Sequence, residues 1–161
     1  MSGSPSVLYA REVITTVSQD QIEELKQLAL STPLKRARLC LHLSKEDLVQ
    51  EMVIVLHRDT YLRPHRHQDK TESFHMIEGE VCVCFFEDSG EIRQTLRLSA
   101  DHKKTFLYRL SDSLWHTVVP LTEFAVFQEV AKGPFSASEY PSWEPHPDSA
   151  EEFKAKILKS L

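Results

Sequence analysis

The sequence predicts a mainly β protein, an antiparallel sandwich or barrel with one helix at each end. Three observations carry this: eight short apolar or alternating runs at roughly ten-residue spacing, turn residues between them, and a helical repeat at either flank. The runs are "EMVIVL", "TYLRPH", "SFHMIEG", "VCVCFF", "IRQTLRL", "KTFLYRL", "WHTVVPL" and "EFAVFQEV". Asp59, Gly79 with Glu80, "EDSG", "SADH" and "SDS" separate them. In "FFEDSGEI" Gly90 stands where a left-handed residue would close a short hairpin.

The flanking helices have start signals. "SQDQIEELKQLAL" opens on Ser18 with Gln21 three residues on, a capping box, and places Ile22, Leu25, Leu28 and Ala29 on one face. At the far end Asp148 is the expected cap and Glu151 its partner, with Phe153, Ile157 and Leu161 as the buried stripe. The basic cluster "LKRAR", Leu34 to Arg38, reads as a solvated turn. "GPFSASEYPSWEPHP" reads as an irregular connector. One domain is expected over 1–161: an N-terminal segment and helix over 1–34, a β-barrel over 35–132, and a connector with the C-terminal helix over 133–161.

Composition narrows the function classes. With 41% hydrophobic residues, 161 positions are enough to bury a core. A formal net charge of -5 argues against nucleic acid as partner, because such a surface repels phosphate. No apolar run is long enough to insert into a membrane, and the start lacks a secretory layout, so the expected location is the cytoplasm. Cys40, Cys82 and Cys84 are odd in number and read as reduced, buried small residues.

The stretch "YLRPHRHQDKTESFHMIEGE" carries the chemistry. Side chains alternate along a strand, so His65 and His67 share a face, and after a short turn Glu72 returns on the paired strand toward the same point. Two imidazoles and a carboxylate bind one divalent transition metal ion, with Fe, Mn, Ni, Co and Zn all suited. His116, mid-strand among apolar neighbours in "SLWHTVV", is the candidate fourth ligand. The same parity points Tyr61 and Arg63 inward as candidate substrate-binding residues and Arg66 outward. An inward Arg63 needs either an internal carboxylate such as Glu129 or an anionic ligand, and both readings stay open. His42, His57, His75, His102 and His146 read as surface or capped histidines.

These residues resemble the cupin superfamily. Its first motif, G-x5-H-x-H-x3,4-E-x6-G, is matched by His65, His67, Glu72 and Gly79, with Asp59 at the opening glycine. Of the second motif His116 is kept, while Thr105, Ser111, Ser113 and Pro120 replace its glycines, proline and asparagine. "LVQEMVIVL", "TYLRPHRH", "FFEDSGEI", "WHTVV", "EVAKGPF" and "SWEP", spread over Arg36 to Pro145, are similar to the WbuC-type cupin-fold metalloproteins of bacterial O-antigen and polysaccharide gene sets. The resemblance implies a double-stranded β-helix, or jelly-roll barrel, with an N-terminal helix, a C-terminal helix and a metal inside the mouth. It also implies a small anionic or oxygen-rich ligand, such as a sugar or sugar-nucleotide intermediate, and is compatible with a homodimer. A non-catalytic sensor or accessory module, and an iron-dependent dioxygenase, are the alternatives that the ligand set leaves open.

Overall fold

The computed structural model describes residues 6–161. Helix α1 (Gln19–Ser31) begins as expected: Ser18 accepts from the Gln21 backbone N–H, and the Gln21 side chain accepts from the Ser18 N–H. Its buried face, Ile22, Leu25 and Ala29, packs on Ala37, Leu39, Val53, Val55 and Val126. These five are the outward-facing residues of the larger of two sheets.

That sheet runs in the order β1-β2-β3-β9-β4-β7, and the second runs β6-β5-β8. The strands are β1 (Val7–Tyr9), β2 (Arg36–Cys40), β3 (Val49–His57), β4 (Glu72–Glu78), β5 (Glu80–Phe86), β6 (Ile92–Ser99), β7 (Leu107–Leu110), β8 (Trp115–Pro120) and β9 (Phe124–Lys132). Inward residues of both sheets close one core, with Leu56, Phe74, Met76 and Phe127 from one side and Val81, Val83, Phe85, Leu98 and Val118 from the other. Strand β5 is buried on both faces. Its outward Cys82, Cys84 and Phe86 lie under Ile157 and Phe153 of α2 (Ala150–Leu158) and under Trp143. All three cysteines are buried and free.

Two turns use positive φ as the sequence suggests. Gly90 (φ +86) closes the β5–β6 hairpin, with Trp143 Cδ2 at 2.8 Å from where a Cβ would stand. Gly79 (φ +72) links β4 to β5 hard against the Phe124 carbonyl and the Thr122 hydroxyl.

Three expectations need correction. "TYLRPH" is not a strand: only His65 and Arg66 make isolated bridges, because Pro64 lacks the N–H a ladder needs. "LKRAR" is not a solvated turn. Arg36–Cys40 forms β2, pairing β1 in parallel and β3 antiparallel, and the alternation that buries Ala37 and Leu39 is too short to stand out beside the charges. Asp148 does not cap α2; it lies in a 3₁₀ turn at Pro147–Ser149, and its own N–H donates to His146 Nδ1. Leu161 lies past the end of the helix and is exposed. Among the described residues no helix is long and apolar enough to cross a membrane.

Candidate metal centre

The site is assembled from two segments far apart in sequence. His65 and His116 exchange backbone hydrogen bonds, His65 N–H to His116 O at 2.9 Å and His116 N–H to His65 O at 2.8 Å, which sets the two rings side by side with centroids 4.5 Å apart. The Ser113 hydroxyl donates to the His67 carbonyl at 2.8 Å, tying the third histidine to the loop before β8. A positive φ of 52° at Asp69, tolerated by this residue type, turns the chain back so that β4 starts at Glu72. One ligand nitrogen from each of His65, His67 and His116 then lies within 4.8 Å of the others.

Glu72 faces the same point. Its Oε1 is 3.1 Å from His116 Nε2 and its Oε2 is 3.8 Å from His67 Nε2. The Tyr108 hydroxyl donates to Oε1 at 3.3 Å. His65 Nδ1 lies 2.9 Å from the Arg63 carbonyl and His116 Nδ1 2.9 Å from the Leu114 carbonyl. Those carbonyls accept only from N–H, so both rings carry a proton on Nδ1 and turn Nε2 inward, where His65 offers a lone pair and His116 faces Glu72.

Electrostatics support the same assignment. Burial holds the His65 pKa down at about 3, with His116 adding to the depression, and burial with Lys70 holds His67 at about 4. Burial alone would raise Glu72 and lower His116. Their mutual contact outweighs it, so Glu72 falls to about 2 and His116 rises. A buried carboxylate, two neutral imidazoles and a third imidazole that shares its proton with that carboxylate form a donor set suited to a divalent cation.

Arg63 and Tyr61 lie elsewhere, and the inward parity assigned to them is corrected. Without a strand over 61–64 the alternation does not apply. The Arg63 side chain is 47% exposed, binds Glu144 through two bonds of 2.6 Å and stacks over Tyr140 at 3.7 Å. Its partner is thus a connector carboxylate, not Glu129. The Tyr61 hydroxyl reaches the Pro145 carbonyl at 3.4 Å. Arg66 does point away, onto Glu139 at 2.8 Å and over Trp115. The connector therefore clamps the histidine segment from outside.

One interior group, Tyr108, escaped the sequence reading, and a second, Glu129, entered it only as a candidate partner for Arg63. Tyr108 is buried in β7, opposite Phe74, and no spacing rule links it to Glu72. Glu129 pairs with Phe74 and Met52 across β9, on the inner face, where burial and the Glu72 charge push its carboxyl pKa up. The "EFAVFQEV" alternation, read with Phe127 inward, carries that signal. His42 is buried as well, edge-on to Tyr9.

The family model that matches the chain, over residues 17–98, is described as a domain of unknown function, DUF6016. The chain belongs to that family. The match spans the DUF6016 residues His65, His67 and Glu72 and ends before His116. No curated protein matches this DUF6016 chain.

Several solved structures share its fold. The capsular polysaccharide assembling protein CapF from Staphylococcus aureus superposes with a TM-score of 0.51 at 19% identity, over 60% of this chain and 27% of that one. CapF with the inhibitor 3-isopropenyl-tropolone gives 0.53 at 17% identity, over 66% and 31%. Protein SO0799 from Shewanella oneidensis gives 0.53 at 13% identity, over 71% and 75%. The DUF6016 chain thus spans under a third of the two CapF chains. At these identities the likeness is one of fold, and that fold is the cupin β-barrel.

Proposed function

We propose that this protein binds one divalent transition metal through His65, His67, Glu72 and His116, and uses it to bind or transform a sugar or sugar-nucleotide intermediate of bacterial surface polysaccharide synthesis. The observation that carries the metal reading is the convergence of three imidazole nitrogens within 4.8 Å, with Glu72 against two of them. The sugar reading rests on the resemblance to WbuC-type proteins and on the role of CapF in capsular polysaccharide assembly.

When bound, such a metal supplies Lewis acidity toward a carbonyl or hydroxyl oxygen. The chain's own groups then have defined tasks. His65 and His116 are oriented by the Arg63 and Leu114 carbonyls, so neither ring has to rotate on binding. Tyr108 steadies Glu72 by its hydrogen bond, and Phe74, Phe85 and Phe127 keep water from the floor of the site. Glu129 is the interior carboxyl placed to exchange a proton with a bound ligand.

The test is elemental analysis of tag-free protein, followed by incubation with sugar nucleotides, sugar acids and neutral sugars under air and under nitrogen. Stoichiometric metal with turnover of a sugar supports the reading. Absence of metal after loading and dialysis overturns it, binding without turnover leaves a sensor module, and oxygen consumption makes the protein a dioxygenase.

A further inference from the structure

Strand β2 carries Arg36 and Arg38 on its inner face. Arg36 registers with Leu56, Arg38 with Ile54 and Cys40 with Met52. Leu56 belongs to the barrel core and Ile54 packs against it, whereas Ala37 and Leu39 lie on the opposite face under α1. Two cations thus stand two residues apart on the barrel side of one strand. Burial lowers the Arg36 pKa, and Arg38 lowers it further by repulsion. Among the described residues neither guanidinium has a carboxylate within 4 Å, Glu129 acts on Arg38 only at longer range across the interior, and the buried Nε of Arg38 has no hydrogen-bond partner. Arg63 and Arg66, by contrast, are each matched to a glutamate. A half-buried guanidinium whose Nε is buried and unpaired carries a desolvation cost that a bound anion lessens.

A cleft opens on Arg38. It holds about 240 Å³ and is lined by Arg38, His42 and Lys45 with Tyr9, Met52 and Phe135. Lys45 lies over the Phe135 ring at 5.3 Å, so cationic groups share the wall with apolar ones. The volume falls below the roughly 300–1,000 Å³ of sites that enclose drug-sized ligands, which favours one sugar-sized ring over a whole nucleotide. The register also joins the cleft to the histidine cluster. Met52 of the cleft pairs with Glu129, and Gln50, which also lines it, pairs with Ala131, which pairs with Glu72. Gln50 and Glu72 are therefore two strands apart on one face, about 10 Å.

We propose that this cleft is an anion-binding subsite, in which Arg38, backed by Arg36, takes the carboxylate or phosphate of a small sugar acid or sugar phosphate whose far end extends past Glu129 toward His65, His67 and His116. The orientation of that far end rests on the metal reading above; the anion contact does not. The planar fork of arginine matches either oxyanion through two parallel bonds.

The full chain is tested by calorimetric titration with glucuronate, glucose 1-phosphate and glucose, after EDTA treatment and again after metal loading. At least one of the two anions is expected to bind the EDTA-treated protein and glucose is not; which anion binds separates carboxylate from phosphate. Arg38→Met is expected to weaken that binding at least tenfold, while its ligand-free form melts at the wild-type temperature or above, since a half-buried cation with no ion-pair partner has been removed. Arg38→Lys keeps the charge without the fork and is expected to fold normally and bind less tightly than wild type. The proposal is overturned if wild type binds neither anion, if Arg38→Met binds as wild type does, or if both Arg38 variants melt lower without ligand, as a structural arginine requires. Anion binding by a protein that takes up no metal removes the metal reading and sustains this one; metal uptake with no anion binding does the reverse.

Discussion

His116 Nε2 and Glu72 Oε1 face each other at 3.1 Å inside the barrel, one from β8 of the small sheet and one from β4 of the large one. The contact spans the interior between the two sheets. It keeps Glu72 ionised and His116 protonated above the usual histidine range despite deep burial. A divalent cation held by the cluster would take the place of that shared proton.

Metal content should respond to each member of the cluster separately. His65→Ala, His67→Ala, Glu72→Gln and His116→Ala are each expected to lower metal affinity by about 100-fold or more, since even groups behind the ligands are worth roughly 10–100-fold. His75→Ala, whose ring lies against Phe106 and outside the cluster, should leave it unchanged. Elemental analysis after dialysis reads both, and full occupancy in His116→Ala would remove the fourth ligand.

Binding should release a proton. The His116 pKa is raised, so the metal-free protein holds that proton at pH 6.5 and somewhat above, whereas His65 (about 3) and His67 (about 4) are already neutral. Metal affinity should therefore rise with pH through and beyond 6.5 and fall as pH drops toward 5. In the metal-free protein the raised His116 adds stability below pH 6.5 that is lost as pH rises through its folded pKa. The depressed His65 and His67 add stability above pH 6.5 that is lost as pH falls toward 4. Titrations in buffers of different ionisation heat measure the proton count at pH 7, and a count of zero with flat affinity between pH 8 and 5 contradicts the shared proton.

Arg63→Ala should retain metal and keep its response to anions, because the wild-type side chain is already occupied by Glu144 and Tyr140. Its effect should be confined to the connector, seen as faster proteolytic cleavage within residues 133–147. Loss of metal or of anion binding in this variant would return Arg63 to the site.

Gly79→Ala should destabilise by at least about 2 kcal/mol, since φ is +72 and a Cβ would overlap the Phe124 carbonyl oxygen. Denaturant melts are the measurement, and an unchanged midpoint for Gly79→Ala would mean that the β4–β5 turn can shift.

Where the sequence could be read well, the signal was local. The Ser18 capping box and Gly90 in its hairpin each depend on contacts within a few residues. The signal is lost where a residue's facing depends on a strand that does not form. Parity counted back from His65 points Arg63 inward, yet Pro64 interrupts the pairing and no strand carries the count. Charge dominates the five-residue segment that holds Arg36 and Arg38 and suggests solvent, while pairing with β3 turns them inward.

By itself, then, the sequence determined the β-rich class with its α1 helix, the turns and the candidate donors His65, His67, Glu72 and His116, because periodicity and residue chemistry are properties of short windows. Only the tertiary structure decided that His116 lies beside His65, that Tyr108 holds Glu72, that Glu144 takes Arg63, and that Arg38 opens on a cleft with its Nε unpaired. Each of those depends on which strands become neighbours between the two sheets. That choice is made by burial of the whole core, and no single segment encodes it.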